Sequence, residues 1–336
     1  MKEDVFMARN DDLKRAQQEK NDEFYTLLPS IENELKHYDE KKFKDKIIFC
    51  NCDDPTYSNF WRYFHMNFER LGLKKLITTH YEKGTVQTYK MEYCGGDDTD
   101  FSAGKKTNLT QNGDFRSPEC VELLDEADMV VTNPPFSLFA EFITLLTEHH
   151  KKFIILGNMN ALHYKDIFPF LKNQEIWPGF TFNKTCEFLM PDSYKLKGTK
   201  SFIDDQGRKH GFVSKITWFT NVDHVKRHKV FETVYKYAKK DELYSDLYQK
   251  YDNFDAINIE KVNQIPLDYD GIMGVPDGFF EFYNPEQFEL IGLSSGTSAA
   301  KVGVKKNYRG RTDLSFITKD GKHKCPFSRI LIRKKK

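Results

Sequence analysis

Asp128 to Phe136, reading Asp-Met-Val-Val-Thr-Asn-Pro-Pro-Phe, constrains the fold more than any other stretch of the chain. Met129, Val130 and Val131 form a short apolar run rich in β-branched residues, which suits a buried parallel strand better than a helix. The strand ends at Thr132, because two consecutive prolines remove two amide donors and hold φ near its extended value. Asn133 therefore cannot begin a helix. Its polar end is left at the carboxyl edge of the sheet, where open α/β sheets bind ligands.

Asn133, Pro134, Pro135 and Phe136 supply two acceptors and a flat apolar face on a rigid turn. The Asn133 amide oxygen and the Pro134 carbonyl can both accept from one planar exocyclic NH2, and Phe136 can stack on the ring that carries it. Methylation of a ring-conjugated amino group needs this arrangement, since two such bonds aim the nitrogen lone pair at an electrophilic methyl. A plain proline turn closing a strand is the alternative reading of the bare tetrapeptide. The context favours the chemistry, because Leu138, Phe139, Phe142, Ile143, Leu145 and Leu146 follow at helical spacing and complete a strand–turn–helix unit.

The same alternation runs through the first 220 residues. Ile47 to Cys50 reads as the first buried strand and leads into Asn51-Cys-Asp-Asp-Pro55, whose acids are placed to receive a cofactor's ammonium or hydroxyl groups. No glycine lies between Asn51 and Leu71, where a nucleotide-binding turn usually has several. Phe60, Tyr63, Phe64, Asn67, Phe68 and Leu71 predict one amphipathic helix stopping at Gly72. Leu76 and Ile77 mark a second strand ending near His80, and the polar stretch from Glu82 to Asn112 reads as an insertion. A helix over Pro118 to Glu126 leads into the Asn133 strand, and Phe153 to Leu156 forms another. Thr185 to Leu189 and Ile216 to Thr220 read as an antiparallel pair finishing the sheet, separated by a loop bearing Lys195, Lys197, Lys200, Arg208 and Lys209. A helix is expected between Tyr235 and Tyr251. Phe24 and Tyr25, read alone, are core aromatics at a helix entry.

The six cysteines show no CxxC pair, so neither a disulfide scaffold nor a zinc site is indicated. His224 and His228 have the spacing of a metal pair but lack a third ligand nearby, and no metal is expected. No apolar run approaches membrane-spanning length, and Met1 to Lys20 lacks a signal pattern, which points to a cytoplasmic protein. The net charge of +1 conceals an uneven distribution: Lys301 to Lys336 carries thirteen Lys or Arg against Asp313 and Asp320, a net of +11. A polyanion would be held there. Tyr308, Phe316, Phe327 and Ile330 to Ile332 among the charges indicate a folded basic surface, whereas Arg333 to Lys336 alone reads as a solvated tail.

Asn-Pro-Pro-Phe resembles the catalytic motif of amino-group methyltransferases that use S-adenosylmethionine. Asn21-Asp-Glu-Phe-Tyr-Thr26, Asn51-Cys-Asp-Asp-Pro55, Gly113-Asp-Phe-Arg-Ser117, Val130 to Phe139, Trp218-Phe-Thr-Asn221 and Asn284-Pro-Glu-Gln-Phe288 resemble, in one order over nearly the whole chain, the EcoRI-type adenine-specific DNA methyltransferases. The resemblance implies a Rossmann-like sheet that binds S-adenosylmethionine and a C-terminal target-recognition region. It divides the chain into a polar arm, 1–20, a catalytic domain, 21–225, and a recognition region, 226–336. It implies that Phe24 and Tyr25 close over the cofactor's methionine portion, that Asn51, Asp53, Asp54 and Pro55 form its loop, and that Asp114 and Phe115 meet its adenine. Trp218 and Phe219 become candidates for contact with an extruded base, since an adenine inside a duplex must be rotated out to react, with core packing the equal alternative for one of the two because strand alternation sends them to opposite faces. The implied partners are double-stranded DNA and a cognate restriction endonuclease acting on the same site, with the enzyme a monomer encoded by a bacterium, phage or plasmid. An RNA or protein-glutamine methyltransferase, and a DNA-binding protein whose glycine-free loop no longer holds the cofactor, are the competing readings.

Overall fold

The computed structural model describes residues 24–82, 84, 86–190, 201–237 and 247–335. They form two compact units: one runs up to Ala161 and resumes over Trp177–His224, and the other comprises Leu162–Ile176 and the chain from Val225. The expected arm and Lys195, Lys197 and Lys200 lie outside the described residues, as does most of the helix expected after Tyr235.

The first unit is mixed α/β. Its strands are β1 (Tyr25–Thr26), β2 (Ile47–Cys50), β3 (Lys75–His80), β4 (Tyr89–Tyr93), β5 (Lys105–Asn108), β6 (Met129–Thr132), β7 (Lys152–Asn158), β8 (Trp177–Pro178), β9 (Lys184–Met190), β10 (Ser201–Ile203) and β11 (Lys209–Thr220). They join in one sheet of order β1-β9-β11-β7-β6-β2-β3-β4-β5, with β8 and β10 added on β11. β7, β6, β2 and β3 are mutually parallel neighbours. Every residue of β2 and β6 is buried, as continuous apolar runs covered on both faces must be. The chain passes from β2 to β3 on one side and returns to β6 on the other. The carboxyl ends of β2 and β6 thus flank the point where strand order reverses, where such sheets open a crevice.

The helices follow local signals. α1 (Leu28–Leu35) has Pro29 in its first turn. α2 (Asn59–Met66) is capped by the Ser58 hydroxyl, which accepts from the amides of Phe60 and Trp61. The single helix expected to run to Gly72 is broken at Asn67, whose side chain donates to the Tyr63 carbonyl at 2.7 Å and takes the acceptor that the next turn needs. The remainder is α3 (Phe68–Leu71), ended by Gly72 at φ 62°. α4 (Pro118–Glu126) begins with Ser117 capping the Cys120 amide. α5 (Phe139–Glu148) buries Phe139, Phe142, Ile143 and Leu146, the face that its spacing predicted.

Two expectations are corrected. The stretch 82–112 is not a mere insertion, since β4 and β5 extend the sheet antiparallel beyond β3. Its polar sequence hides strands because Lys75 and Lys90 pair with Glu92 at 3.1 Å each, satisfying charges on the strand. Trp218 and Phe219 do not await a base, being 1% and 0% exposed. Trp218 meets Phe60 edge-on and Phe219 lies against Phe139, because β11 is an interior strand covered on both faces. β11 does pair antiparallel with β9, but chiefly through Lys209–Val213, whereas the Ile216–Thr220 stretch expected to be its partner pairs with β7 instead.

The second unit contains β12 (Ala256–Asn258), β13 (Ile272–Val275), β14 (Phe288–Leu293), β15 (Phe316–Ile317), β16 (His323–Lys324) and β17 (Ile330–Lys334), with helices α6 (Phe168–Lys172) and α7 (Gly296–Lys301). β12-β13-β17-β14 form one sheet and β15-β16 a hairpin. The basic tail is therefore not simply solvated. Ile330, Leu331 and Ile332 are fully buried in an interior strand, and Arg333 pairs with Glu289 at 2.8 Å. No helix among the described residues is long and apolar enough to cross a membrane.

Candidate active site

Above the carboxyl ends of β2 and β6 lies a cavity of about 260 Å³ in the first unit. Phe24, Tyr25, Asp53, Asp54, Asp114, Phe115, Asn133 and Pro135, eight residues singled out from the sequence, line it. Four others do not reach its wall. Pro55 and Pro134 are buried and stiffen their turns, and Phe136 is half-buried against Phe24, edge-on at 5.9 Å. Asn51 is 1% exposed and shapes the loop from beneath, its Oδ1 accepting from the Cys52 amide and the Thr79 hydroxyl.

The turn over 133–136 is locked from several directions. Leu138 donates to the Pro135 carbonyl at 3.0 Å, starting a short 3-10 turn over Phe136–Leu138 that feeds α5. Asn133 Nδ2 donates to the Phe24 carbonyl at 2.6 Å. That bond fixes the amide's orientation, so Oδ1 is the acceptor, and Oδ1 is enclosed with no hydrogen-bond donor among the described residues. An enclosed acceptor without a partner costs about 1–3 kcal/mol, and its presence marks a place where a donor is to be supplied.

The glycine-free loop solves its geometry with Cys52, which adopts the left-handed conformation at φ 66°. That region ordinarily belongs to glycine, and the Asn51 side chain bonded to the Cys52 amide supports it here. Two adjacent acids then diverge. Asp54 pairs with His80 at 2.7 Å and accepts from the Thr56 amide and hydroxyl. Burial opposes its charge, but the hydrogen bonds from His80 and Thr56 prevail and hold its carboxyl down at about 2. Asp53 accepts from the Ser58 hydroxyl at 2.8 Å and contacts the Thr132 hydroxyl. Burial dominates there and pushes its carboxyl up to about 7, against the hydrogen bonds of Thr132, Ser58 and the Asn133 amide. One acid is thus firmly anionic and its neighbour is poised near neutrality.

The opposite wall comes from 113–116. Phe115 packs edge-on against Phe142 at 5.0 Å, while Arg116 clasps the Asp114 carboxylate at 2.7 Å and reaches Glu141 at 3.0 Å. Gly113 sits at φ 76°, and a Cβ there would lie 2.3 Å from the His80 carbonyl oxygen. Gly113→Ala is therefore expected to push this wall off β3. The melting temperature should drop, as thermal unfolding would record.

A family model described as adenine-specific methyltransferase EcoRI matches residues 12–335. The chain belongs to that family. Three relatives agree with it over nearly their whole length. Type II methyltransferase M.EcoRI of Escherichia coli is 40% identical, covering 98% of each chain. Type II methyltransferase M.MgeORF184P of Mycoplasma genitalium is 39% identical over 95% of this chain and 98% of the relative. Type II methyltransferase M.MpnI of Mycoplasma pneumoniae is 37% identical over 96% and 97%. No solved structure gives a significant match.

As an EcoRI-family adenine-specific DNA methyltransferase, the protein requires a methyl donor and acts on DNA. The cavity of this family member also includes residues that the sequence did not single out, namely Cys52, Tyr57, His80 and Tyr81. Tyr57 reaches the Tyr25 ring at 5.9 Å. His80 had a signal, since it ends a parallel strand beside the first. Tyr57 had none, because it is a loop tyrosine whose neighbour is 32 positions away. No group of three or more metal-ligating side chains occurs among the described residues.

Proposed function

We propose that this methyltransferase transfers the methyl group of S-adenosylmethionine to N6 of an adenine rotated out of duplex DNA, on a Rossmann-like sheet. The observation that carries this reading is the enclosed Oδ1 of Asn133, lacking a donor beside the cavity while Nδ2 is fixed to Phe24. The adenine amino group is the donor it lacks. Asn133 Oδ1 and the Pro134 carbonyl accept from N6 and turn its lone pair outward, and the amino proton leaves after transfer, so no strong base is required. S-adenosylmethionine supplies an electrophilic methyl on a sulfonium.

The cavity's side chains fit such a cationic cofactor. Asp54, anionic across the working pH range, answers its ammonium or hydroxyl groups, and Phe24 and Tyr25 close one side. Asp114 and Phe115 flank the purine, with Arg116 orienting Asp114. Phe136 stacks on the target ring after turning from Phe24. Removing a base from its stack costs a few kcal/mol, which contacts to DNA elsewhere must offset.

The part of the second unit within 226–336 is read as the target-recognition region. Tyr308 is 45% exposed, stacks on His323 at 4.7 Å and carries the Arg309 guanidinium 5.0 Å from its ring. This cationic aromatic platform suits a phosphate backbone. Arg309→Ala is expected to weaken DNA binding about equally across sequences and to reduce the slope of log affinity against log salt by about one. Binding titrations at several salt concentrations would show it. Since the relatives are named type II methyltransferases, we read the chain as the modification half of a restriction–modification pair. It would act as a cytoplasmic monomer beside an endonuclease for the same site.

The test is transfer of labelled methyl from S-adenosylmethionine by the full chain to duplex DNA, RNA and protein in parallel. Label in N6-methyladenine of duplex DNA is expected. Label in RNA or in glutamine, or no binding of the cofactor at millimolar concentration, would overturn the reading.

A further inference from the structure

We infer that Asp53, together with Thr132, is a positioning residue for the catalytic asparagine rather than a ligand of the methyl donor. The inference rests on the role proposed for Asn133 and deepens it.

Thr132 closes β6 immediately before Asn133, and its hydroxyl carries one hydrogen. Two acceptors lie against it: the Asn51 carbonyl at the end of β2 and Asp53 Oδ2. The other carboxyl oxygen, Oδ1, is taken by the Ser58 hydroxyl at 2.8 Å. The Ser58 oxygen is in turn occupied by the amides of Phe60 and Trp61, so Ser58 has only its own hydrogen to give Asp53. If Thr132 donates to Asn51, the contact with Oδ2 is satisfied only when Asp53 carries a proton and donates it to the Thr132 oxygen. The surroundings agree with a neutral acid, since burial dominates and Asp54 adds a neighbouring negative charge. Cys50, buried at the end of β2, is held as a neutral thiol and adds no charge.

Asp53 is thus held from two parallel strands and one helix start. Thr78 of β3 donates to its carbonyl, Thr132 of β6 and Ser58 before α2 meet its carboxyl, and the Asn133 amide donates to that carboxyl as well. Both carboxyl oxygens are thereby engaged by the protein itself. The link fixes the backbone from which Asn133 Oδ1 projects. Misplacing a positioning group by about 1 Å can cost about 10²-fold in rate.

The experiment compares Thr132→Val, Thr132→Ser, Asp53→Asn and Asp53→Ala in the full chain, using duplex DNA and S-adenosylmethionine. It measures kcat at saturation and donor affinity by calorimetry, with thermal unfolding to verify folding. Thr132→Val is expected to lower kcat by about tenfold or more with donor affinity within about twofold, and Thr132→Ser to restore kcat to within about threefold. Asp53→Asn, which keeps one donor and one acceptor on the same frame, should retain more kcat than Asp53→Ala, again with donor affinity preserved. A tenfold loss of donor affinity in Asp53→Asn at unchanged kcat would make Asp53 a donor ligand and overturn the inference. Wild-type kcat in Thr132→Val would overturn it too, while leaving the role of Asn133 to stand or fall on its own variant. Should Thr132→Val fail to fold, failure of the folded Thr132→Ser to exceed Asp53→Ala in kcat would have the same consequence.

Discussion

Replacing Asn133 by alanine is expected to lower kcat by about 10²- to 10³-fold or more, the range seen when one preorganised group facing the reacting centre is removed. The loss falls on transfer because the Oδ1 acceptor is deleted, while most of the cavity wall stays in place. A smaller effect on the cofactor is also expected. Asn133 Nδ2 anchors the Phe24 carbonyl at 2.6 Å, so the alanine variant frees the backbone of the segment carrying Phe24 and Tyr25. Donor affinity should weaken by less than about tenfold, the scale of one lost neutral hydrogen bond. Single-turnover methylation and calorimetric titration of the same preparation separate the two effects. A variant turning over within tenfold of the wild type would remove Asn133 from the chemistry.

The second large effect concerns stability and lies away from the cavity. Glu34, on the last turn of α1, is 0% exposed. Its carboxylate accepts from the Phe180 amide and the Thr181 amide at 2.7 Å each and from the Tyr38 hydroxyl at 2.8 Å. Glu34→Ala leaves three enclosed donors without an acceptor, at about 1–3 kcal/mol each, so a loss of several kcal/mol is expected. That is a substantial part of the stability of about 5–15 kcal/mol typical of folded proteins. Thermal unfolding should shift downward by about 10 °C. Burial raises the Glu34 carboxyl above 4.5 despite its hydrogen bonds. Folding therefore favours the protonated form, and the associated stabilisation is complete below the unfolded value and fades as pH rises through the folded one. Glu34→Gln, resembling the protonated acid, is accordingly expected to cost less than Glu34→Ala. Equal melting temperatures for Glu34→Ala and the wild type would show the cluster to be without consequence.

The parts of the fold that were legible depend on neighbours in sequence. β2 and β6 could be bounded to the residue because apolar runs end abruptly at Asn51 and at the double proline, and α4 because Ser117 and Pro118 announce its start. The parts that were missed depend on partners far along the chain. β4 looked like an insertion because its charges are answered by Lys75 of another strand. Strand alternation placed one of Trp218 and Phe219 in the core and left the other for a base, whereas both faces of this interior strand are covered and both rings are buried. Segment 162–176 belongs with the second unit although nothing in its composition sets it apart.

The candidate site divides the same way. Asn133 and its stiff turn were visible because proline restricts backbone geometry wherever it stands, whereas Asp54 and Phe115 were reached chiefly through the family resemblance, since the loop after β2 has no glycine to announce a nucleotide site. Asp53 was visible as an acid, but its orientation toward Thr132, 79 positions on, was not. Sequence alone thus determined which groups stand at the ends of the parallel strands, since local chain stiffness and apolar runs settle where a strand stops. Tertiary structure alone decided which of two adjacent carboxyls is held low and which is pushed up toward neutrality, because desolvation and hydrogen-bond partners are properties of the packed neighbourhood.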